Sequence, residues 1–238
     1  MEKNKIIVGN MKMNLTLDEV KEYIEKMKNY NNFIICPSYI YVPYFLESNF
    51  KVGVQNISEY GIGSYTGDIS VMQVASMGIK YTLVGHSERR EKFGESDKVV
   101  NNKIIKAISN NLTAILCVGE TNNEKMCGKT KNVLYRQLTN CLEDIEKYDN
   151  NQILIAYEPV WAIGTGNIPT DTEIIDNITY IKSVIEEKWG ITPNVLYGGS
   201  INEENIKELN KIDKIDGFLI GGACLKPNKF IKILNAIN

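Results

Sequence analysis

The sequence predicts an α/β protein: one domain over residues 1–238, in which eight strand–helix units close into a (β/α)8 barrel. Three observations carry this. Short, nearly continuous apolar runs recur roughly every 30 residues, the length of one strand-plus-helix unit. Amphipathic segments fill the intervals. Each run gives way, on its C-terminal side, to polar or glycine residues, and in a closed barrel all of those ends meet on one face. A doubly wound open sheet is the competing arrangement.

The first run, Ile6-Ile7-Val8, leads into Gly9-Asn10-Met11-Lys12-Met13-Asn14. Unbroken hydrophobicity suits a parallel strand, because such a strand is buried on both faces. Thr16-Leu17-Asp18-Glu19 is a capping box, and Val20, Ile24 and Met27 follow at helical spacing. Phe33-Ile34-Ile35 and Val52-Gly53-Val54 are the second and third runs, the latter ending in Gln55-Asn56. Gly61, Gly63 and Gly67 lack dinucleotide-binding spacing and mark a protruding loop. Tyr81 to Val84 ends at His86, where Ser87-Glu88-Arg89-Arg90 opens a short helix. Ala114 to Cys117 ends in Gly119-Glu120. Further on, Cys127-Gly128-Lys129-Thr130 imitates the end of a Walker loop, but Asn123 stands where its first glycine is needed. Ile153 to Ala156 delivers Glu158, and Thr170-Asp171-Thr172-Glu173 caps the next helix, with Ile174, Ile178 and Ile181 on its apolar face. Asn194 to Tyr197 ends in Gly198-Gly199-Ser200; the segment from Asn202 carries Ile206 and Leu209; Gly217 to Ile220 ends in Gly221-Gly222.

Composition narrows the function. Hydrophobic residues make up 43% and charged residues 24%, an ordinary soluble mix. A net charge of −2 provides no broad basic field for nucleic acid or membrane, so an anionic substrate must be held by local groups. No apolar stretch approaches membrane-spanning length, and Met1 to Lys5 leads into the first run without a signal-peptide pattern. The five cysteines are scattered, which suits free thiols in a reducing, cytoplasmic setting. With one histidine and no Cys-x-x-Cys pair, neither a metal nor another cofactor is expected.

The chemistry concentrates at the strand ends. Glu158 stands at the foot of Pro159-Val160-Trp161-Ala162-Ile163-Gly164-Thr165-Gly166, a loop stiffened by proline at one end and freed by glycine at the other. That is the plan of a base beneath a mobile lid. His86 sits at a helix start, where the positive end of the dipole disfavours its protonation. A neutral imidazole there can donate to a carbonyl oxygen and carry protons. Lys12, between two methionines at a strand end, can hold an anion. The two glycine pairs after the last two strands are suited to cradle phosphate with backbone N–H groups.

Along nearly its whole length the chain resembles the triosephosphate isomerases. The resemblance is carried by Gly9 to Asn14, Val84 to Arg90, Cys117 to Glu120, Tyr157 to Gly166, Tyr197 to Ser200 and Gly217 to Gly222, in that order. It implies the TIM-barrel fold and cofactor-free interconversion of dihydroxyacetone phosphate and D-glyceraldehyde 3-phosphate, in glycolysis and gluconeogenesis. Glu158 would move the proton between the two carbons, His86 between the two oxygens. Lys12 and Asn10 would stabilise the enediolate and phosphate. Gly164, Ser200, Gly221 and Gly222 would hold the phosphate through their N–H groups. Glu88 would orient Lys12. Ile163 from the lid, spanning Pro159 to about Pro169, and Leu219 would press on Glu158. The resemblance also implies a homodimer, whose loop 58–69 brings Thr66 beside the partner's active site.

Three departures stand out. Met11 takes the place of a usual aromatic, a packing change. Cys224 takes the place of a usual serine. Pro169 offers no N–H from which a tyrosine matching Tyr197 could accept, so that latch is expected to be absent or displaced. Two other readings remain at this stage: a phosphate-binding barrel with other chemistry, such as a synthase of aromatic amino-acid biosynthesis, and a non-catalytic binding or adhesion role. The short lid and lone histidine argue against the first; the intact Glu158, His86 and Lys12 argue against the second.

Overall fold

The computed structural model describes residues 4–145, 152–164 and 166–237. Met1, Glu2 and Lys3, at the start of the N-terminal reading, and Thr165, within the expected lid, lie outside the described residues. The eight apolar runs are eight parallel strands: β1 Ile6–Asn10, β2 Ile34–Cys36, β3 Lys51–Val54, β4 Tyr81–Val84, β5 Thr113–Val118, β6 Ile153–Tyr157, β7 Val195–Tyr197 and β8 Gly217–Ile220. Each pairs with the next, and β8 returns to β1 through Val8↔Leu219 and Gly9↔Ile220. The barrel is therefore closed, which excludes the open doubly wound sheet.

Around it run α1 Leu17–Met27, α2 Val42–Leu46, α3 Val71–Ser76, α4 Ser87–Phe93, α5 Asp97–Ser109, α6 Asn122–Met126, α7 Thr130–Cys141, α8 Asp171–Trp189, α9 Ile206–Asn210 and α10 Pro227–Ile237. The capping boxes foreseen before α1 and α8 both form. At α8 the Glu173 N–H donates to Thr170 Oγ1 at 3.2 Å, and the Thr170 N–H donates to Glu173 Oε2 at 2.8 Å. Each satisfies a backbone donor that a helix start leaves without an intrahelical partner.

Alternation along the strands explains why the runs read as continuously apolar. Val8, Leu83, Ile115, Cys117, Leu154, Leu196 and Leu219 form one buried cluster inside the barrel. Their sequence neighbours, among them Ile7, Val84, Leu116, Ile153, Ile155 and Phe218, face the helices and join Val20, Ile104, Leu134, Ile178 and Phe230. Both faces of each strand are thus dry. Burying one such side chain fully is worth about 1.5–3 kcal/mol, enough to fix register, since a one-residue slip would exchange the two faces. Met11 is buried at 1% exposure, so its substitution for an aromatic is a change of packing.

Candidate active site

β1 ends in Asn10, and the chain then turns sharply. Lys12 adopts φ +53, a left-handed conformation unusual for a side chain with a Cβ. Three neighbours hold it there. The Lys12 N–H donates to Asn10 Oδ1 at 3.0 Å, and its carbonyl accepts from Ser38 Oγ at 3.0 Å and Gln55 Nε2 at 2.8 Å. Gln55 also donates to the Cys36 carbonyl at 3.0 Å, so β1, β2 and β3 share one clamp. The Lys12 ammonium meets Glu88 Oε1 at 2.8 Å. Burial raises the Glu88 carboxyl pKa, and Lys12, His86 and Lys92 together offset it, leaving the net direction downward.

His86 caps α4. Its Nδ1 accepts the Glu88 N–H at 3.3 Å, which leaves Nε2 to carry the proton of the neutral ring. Nε2 points at Glu158 Oε1, 3.2 Å away. Burial, the largest single cause, pushes the imidazole pKa down, while the Glu158 and Glu88 carboxylates push it up, and the net direction is upward. That is opposite to what the helix terminus alone would give. For Glu158, burial raises the pKa, while His86, Lys12 and the Cys117 thiol lower it, and the net direction is downward. Its Oε2 is buried without a hydrogen-bond partner among the described residues.

The Glu158 backbone is seated on the end of β5. Its N–H donates to the Val118 carbonyl at 2.8 Å. A Cβ built on Gly119 would lie 1.7 Å from the Glu158 carbonyl oxygen, so only glycine fits there. Beyond Glu158, Val160 N–H donates to Glu120 O at 3.0 Å and Trp161 Nε1 donates to Glu120 Oε1 at 2.8 Å. Glu120, 1% exposed, also meets the Tyr157 hydroxyl at 3.3 Å.

These elements enclose a cavity of about 220 Å³ at the C-terminal mouth of the barrel. Asn10, Lys12, His86, Glu158, Ile163, Gly164, Ser200, Leu219, Gly221 and Gly222 all line it. Ser200 Oγ donates to the Ala162 carbonyl at 2.7 Å, joining the lid to the loop after β7. Glu88 stands outside this cavity and reaches it through Lys12. Tyr197 also lies outside. Its hydroxyl is buried with no hydrogen-bond partner among the described residues, and a Cβ on Gly199 would come within 2.1 Å of it. Among the described residues no cluster of three or more histidine, cysteine or acidic side chains could hold a metal ion. Gly119 and Gln55 stand at strand ends that the sequence marks, but their contacts are not legible there, and Ser38 carries no sequence signal.

The sequence model of the triosephosphate isomerase family matches residues 5–237. A triosephosphate isomerase of Clostridium tetani (strain Massachusetts / E88) is 40% identical, over 97% of this chain and 95% of its own length. Those of Clostridium botulinum (strain Langeland / NCTC 10281 / Type F) and Mesomycoplasma hyopneumoniae (strain 7448) are each 39% identical, over 97% of this chain and 98% of theirs. The chain belongs to the triosephosphate isomerase family.

Proposed function

We propose that Glu158, His86, Lys12 and Asn10 carry out in this chain the reaction of its family, the interconversion of dihydroxyacetone phosphate and D-glyceraldehyde 3-phosphate in glycolysis and gluconeogenesis. The observation that carries this is the convergence of the Glu158 carboxylate, the His86 Nε2 and the Lys12 side chain on one 220 Å³ cavity. Its remaining walls are rich in glycine. Residues 1–238 act together as one catalytic domain.

The chemistry follows from the groups. Glu158 takes a proton from the carbon next to the carbonyl and returns it to the neighbouring carbon. Its Oε2 has no donor among the described residues to give up first. Neutral His86 donates from Nε2 to the carbonyl oxygen as charge builds and shuttles protons between the two oxygens. Asn10 and the Lys12 ammonium stabilise the enediolate and the phosphate. Glu88 keeps that ammonium in position. Gly164, Ser200, Gly221 and Gly222 offer N–H groups to the phosphate, with a short turn of helix beginning at Gly222. The lid, with Ile163, and Leu219 exclude water around Glu158, which strengthens these electrostatic interactions. Removing the ammonium tests the binding part. Lys12→Met is expected to raise KM by roughly 10²-fold, the size of a charged hydrogen bond of about 1.5–3 kcal/mol. A KM within threefold of wild type would refute the assignment.

The active form in this reading is a homodimer. A second cleft of about 440 Å³ lies beside Lys12 and Glu88. Met13, 94% exposed, and Phe93, 66% exposed, belong to its walls, and large apolar side chains left in water favour being covered. Loop 58–69 is suited to fill the partner's cleft. It is closed by Ser58 N–H donating to Ile69 O at 2.8 Å, and Tyr60 stacks on Tyr65 with centroids 4.4 Å apart. Exposed Thr66 at its tip would then stand near the partner's Lys12. Sedimentation at micromolar concentration should give twice the chain mass; a fully active monomer would refute the dimer. A cytoplasmic setting suits five unpaired cysteines, and no helix among the described residues is long and apolar enough to cross a membrane. Fractionation with the membranes would count against that setting.

A further inference from the structure

Both peptide planes that flank His86 are held by one residue. Gly85 turns the chain after β4 in a left-handed conformation, φ +68. Its carbonyl accepts from Arg90 Nε at 2.8 Å. The next carbonyl, that of His86 itself, accepts the Arg90 N–H at 3.2 Å and the Arg89 N–H at 2.8 Å. Arg90 thus holds the plane before His86 with its side chain and the plane after it with its backbone. Two fixed planes fix the two soft dihedrals between them, and so the direction in which the His86 side chain leaves the backbone. The ring's own contacts are looser. Nδ1 accepts the Glu88 N–H at 3.3 Å, longer than an ideal bond, and Nε2 faces Glu158 at 3.2 Å.

The guanidinium is itself locked. Nη1 donates to Oδ1 of Asp97, the first residue of α5, at 2.6 Å. Nη2 lies 3.4 Å from the Cys141 thiol of α7 and 3.5 Å from the Cys117 carbonyl of β5. The Cys141 thiol lies 3.6 Å from Asp97 Oδ1, closing a ring of contacts. Asp97 Oδ2 meets Asn140 Nδ2 at 3.4 Å, so α7 also holds the carboxylate. A planar fork with N–H groups in fixed directions reaches Gly85, Asp97 and Cys141 at once. A single ammonium does not. The Arg90 side chain is 16% exposed and borders a cavity of about 680 Å³ with Gly85, Asp97 and Cys117.

We infer that Arg90 is a positioning residue: it fixes the backbone on both sides of His86 and so aims the imidazole at the substrate oxygens without touching substrate. This rests on the proposed isomerase site and adds a residue outside the substrate cavity. The Nε bond to Gly85 carries the effect, and the contacts with Asp97 and Cys141 orient the fork.

The chain has one histidine, so the imidazole nitrogen signals of the full-length protein, labelled with ¹⁵N at histidine, report His86 alone. Wild type should show one tautomer, protonated at Nε2. Arg90→Lys keeps a cation for Asp97 and loses the fork. Its kcat for triose phosphate should fall roughly ten- to hundredfold, the range for a catalytic group displaced by about 1 Å. Its KM should stay within about twofold, and the two His86 nitrogen signals should move toward each other as the tautomers mix. Arg90→Ala leaves a space that guanidinium ion can enter from the 680 Å³ cavity. Guanidinium chloride at millimolar concentration should raise its kcat and return the His86 signals toward those of wild type; methylammonium should do neither. Four results would each overturn the inference: wild-type kcat in Arg90→Lys, a fall in its kcat with the His86 signals unmoved, failure of Arg90→Lys to fold, and no rescue of folded Arg90→Ala. If Arg90→Ala does not fold, Arg90→Lys decides alone. Absence of triose phosphate turnover in the parent protein would sink the isomerase reading, while the His86 signals would still report whether Arg90 aims the ring.

Discussion

Glu158→Gln is expected to lower kcat by about 10²–10⁴-fold, the usual contribution of a positioned general base, with a much smaller effect on KM. Glutamine keeps the shape and can still accept from His86 Nε2, now 3.2 Å from Oε1. What it loses is the capacity to take a proton from carbon. Folding should not suffer. The wild-type carboxylate is 3% exposed and one of its oxygens has no partner among the described residues, which costs stability, while its pairing with His86 holds its pKa down and returns stability at neutral pH. The thermal midpoint of the variant should therefore stay close to that of wild type. Slow turnover with a preserved midpoint isolates the chemistry. Turnover within tenfold of wild type would remove Glu158 from the role of base.

Gly119→Ala should cost both stability and turnover. The added Cβ falls 1.7 Å from the Glu158 carbonyl oxygen and 2.5 Å from its carbonyl carbon, and neither is a flexible side-chain end that can turn away. The strand ends of β5 and β6 must separate, straining the bond from Glu158 N–H to Val118 O. Gln137 makes that harder. Its Oε1 accepts the Gly119 N–H at 2.8 Å and its Nε2 donates to the Gly119 carbonyl at 3.3 Å, so the glycine is held from behind. Overpacking of this kind costs about 1–3 kcal/mol, occasionally more. Displacing the base by even about 1 Å can cost 10²-fold in rate. Denaturant unfolding and steady-state kinetics on the same preparation measure both. Wild-type stability and rate together would show that the two strand ends can part without consequence.

Much of the architecture was legible because the strands are buried on both faces and so advertise themselves as apolar runs. Tyr81 to Val84 and Gly217 to Ile220 are found with the bounds the sequence suggests. Elsewhere the ladder runs on into residues that composition does not mark, such as Asn10, which pairs with Cys36, and Val118, which pairs with Tyr157. Closure itself could only be inferred from the strand-end residues; pairing of β1 with β8 is a contact between the two ends of the chain. The residues expected to contact substrate were readable because each lies at a strand end, and they do line one cavity. Their partners were less so. Ser38 and Gln55 act on the Lys12 carbonyl from two other strand ends, and nothing in a local pattern announces a bond to a distant backbone. The helix terminus beside His86 is a local feature and lowers its pKa, whereas the Glu158 carboxylate that raises it arrives from another strand.

The central claim is proton transfer through an enediolate by a carboxylate that exchanges with water. It is tested most directly by converting dihydroxyacetone phosphate to glyceraldehyde 3-phosphate in D2O with the wild-type protein and reading the product by proton NMR. A proton held on Glu158 can exchange before it is returned, so deuterium should appear at C2 of the product and at C1 of recovered substrate. A product that stays fully protonated at C2, formed at the full rate, would mean that hydrogen moves directly between the carbons, and would contradict the account.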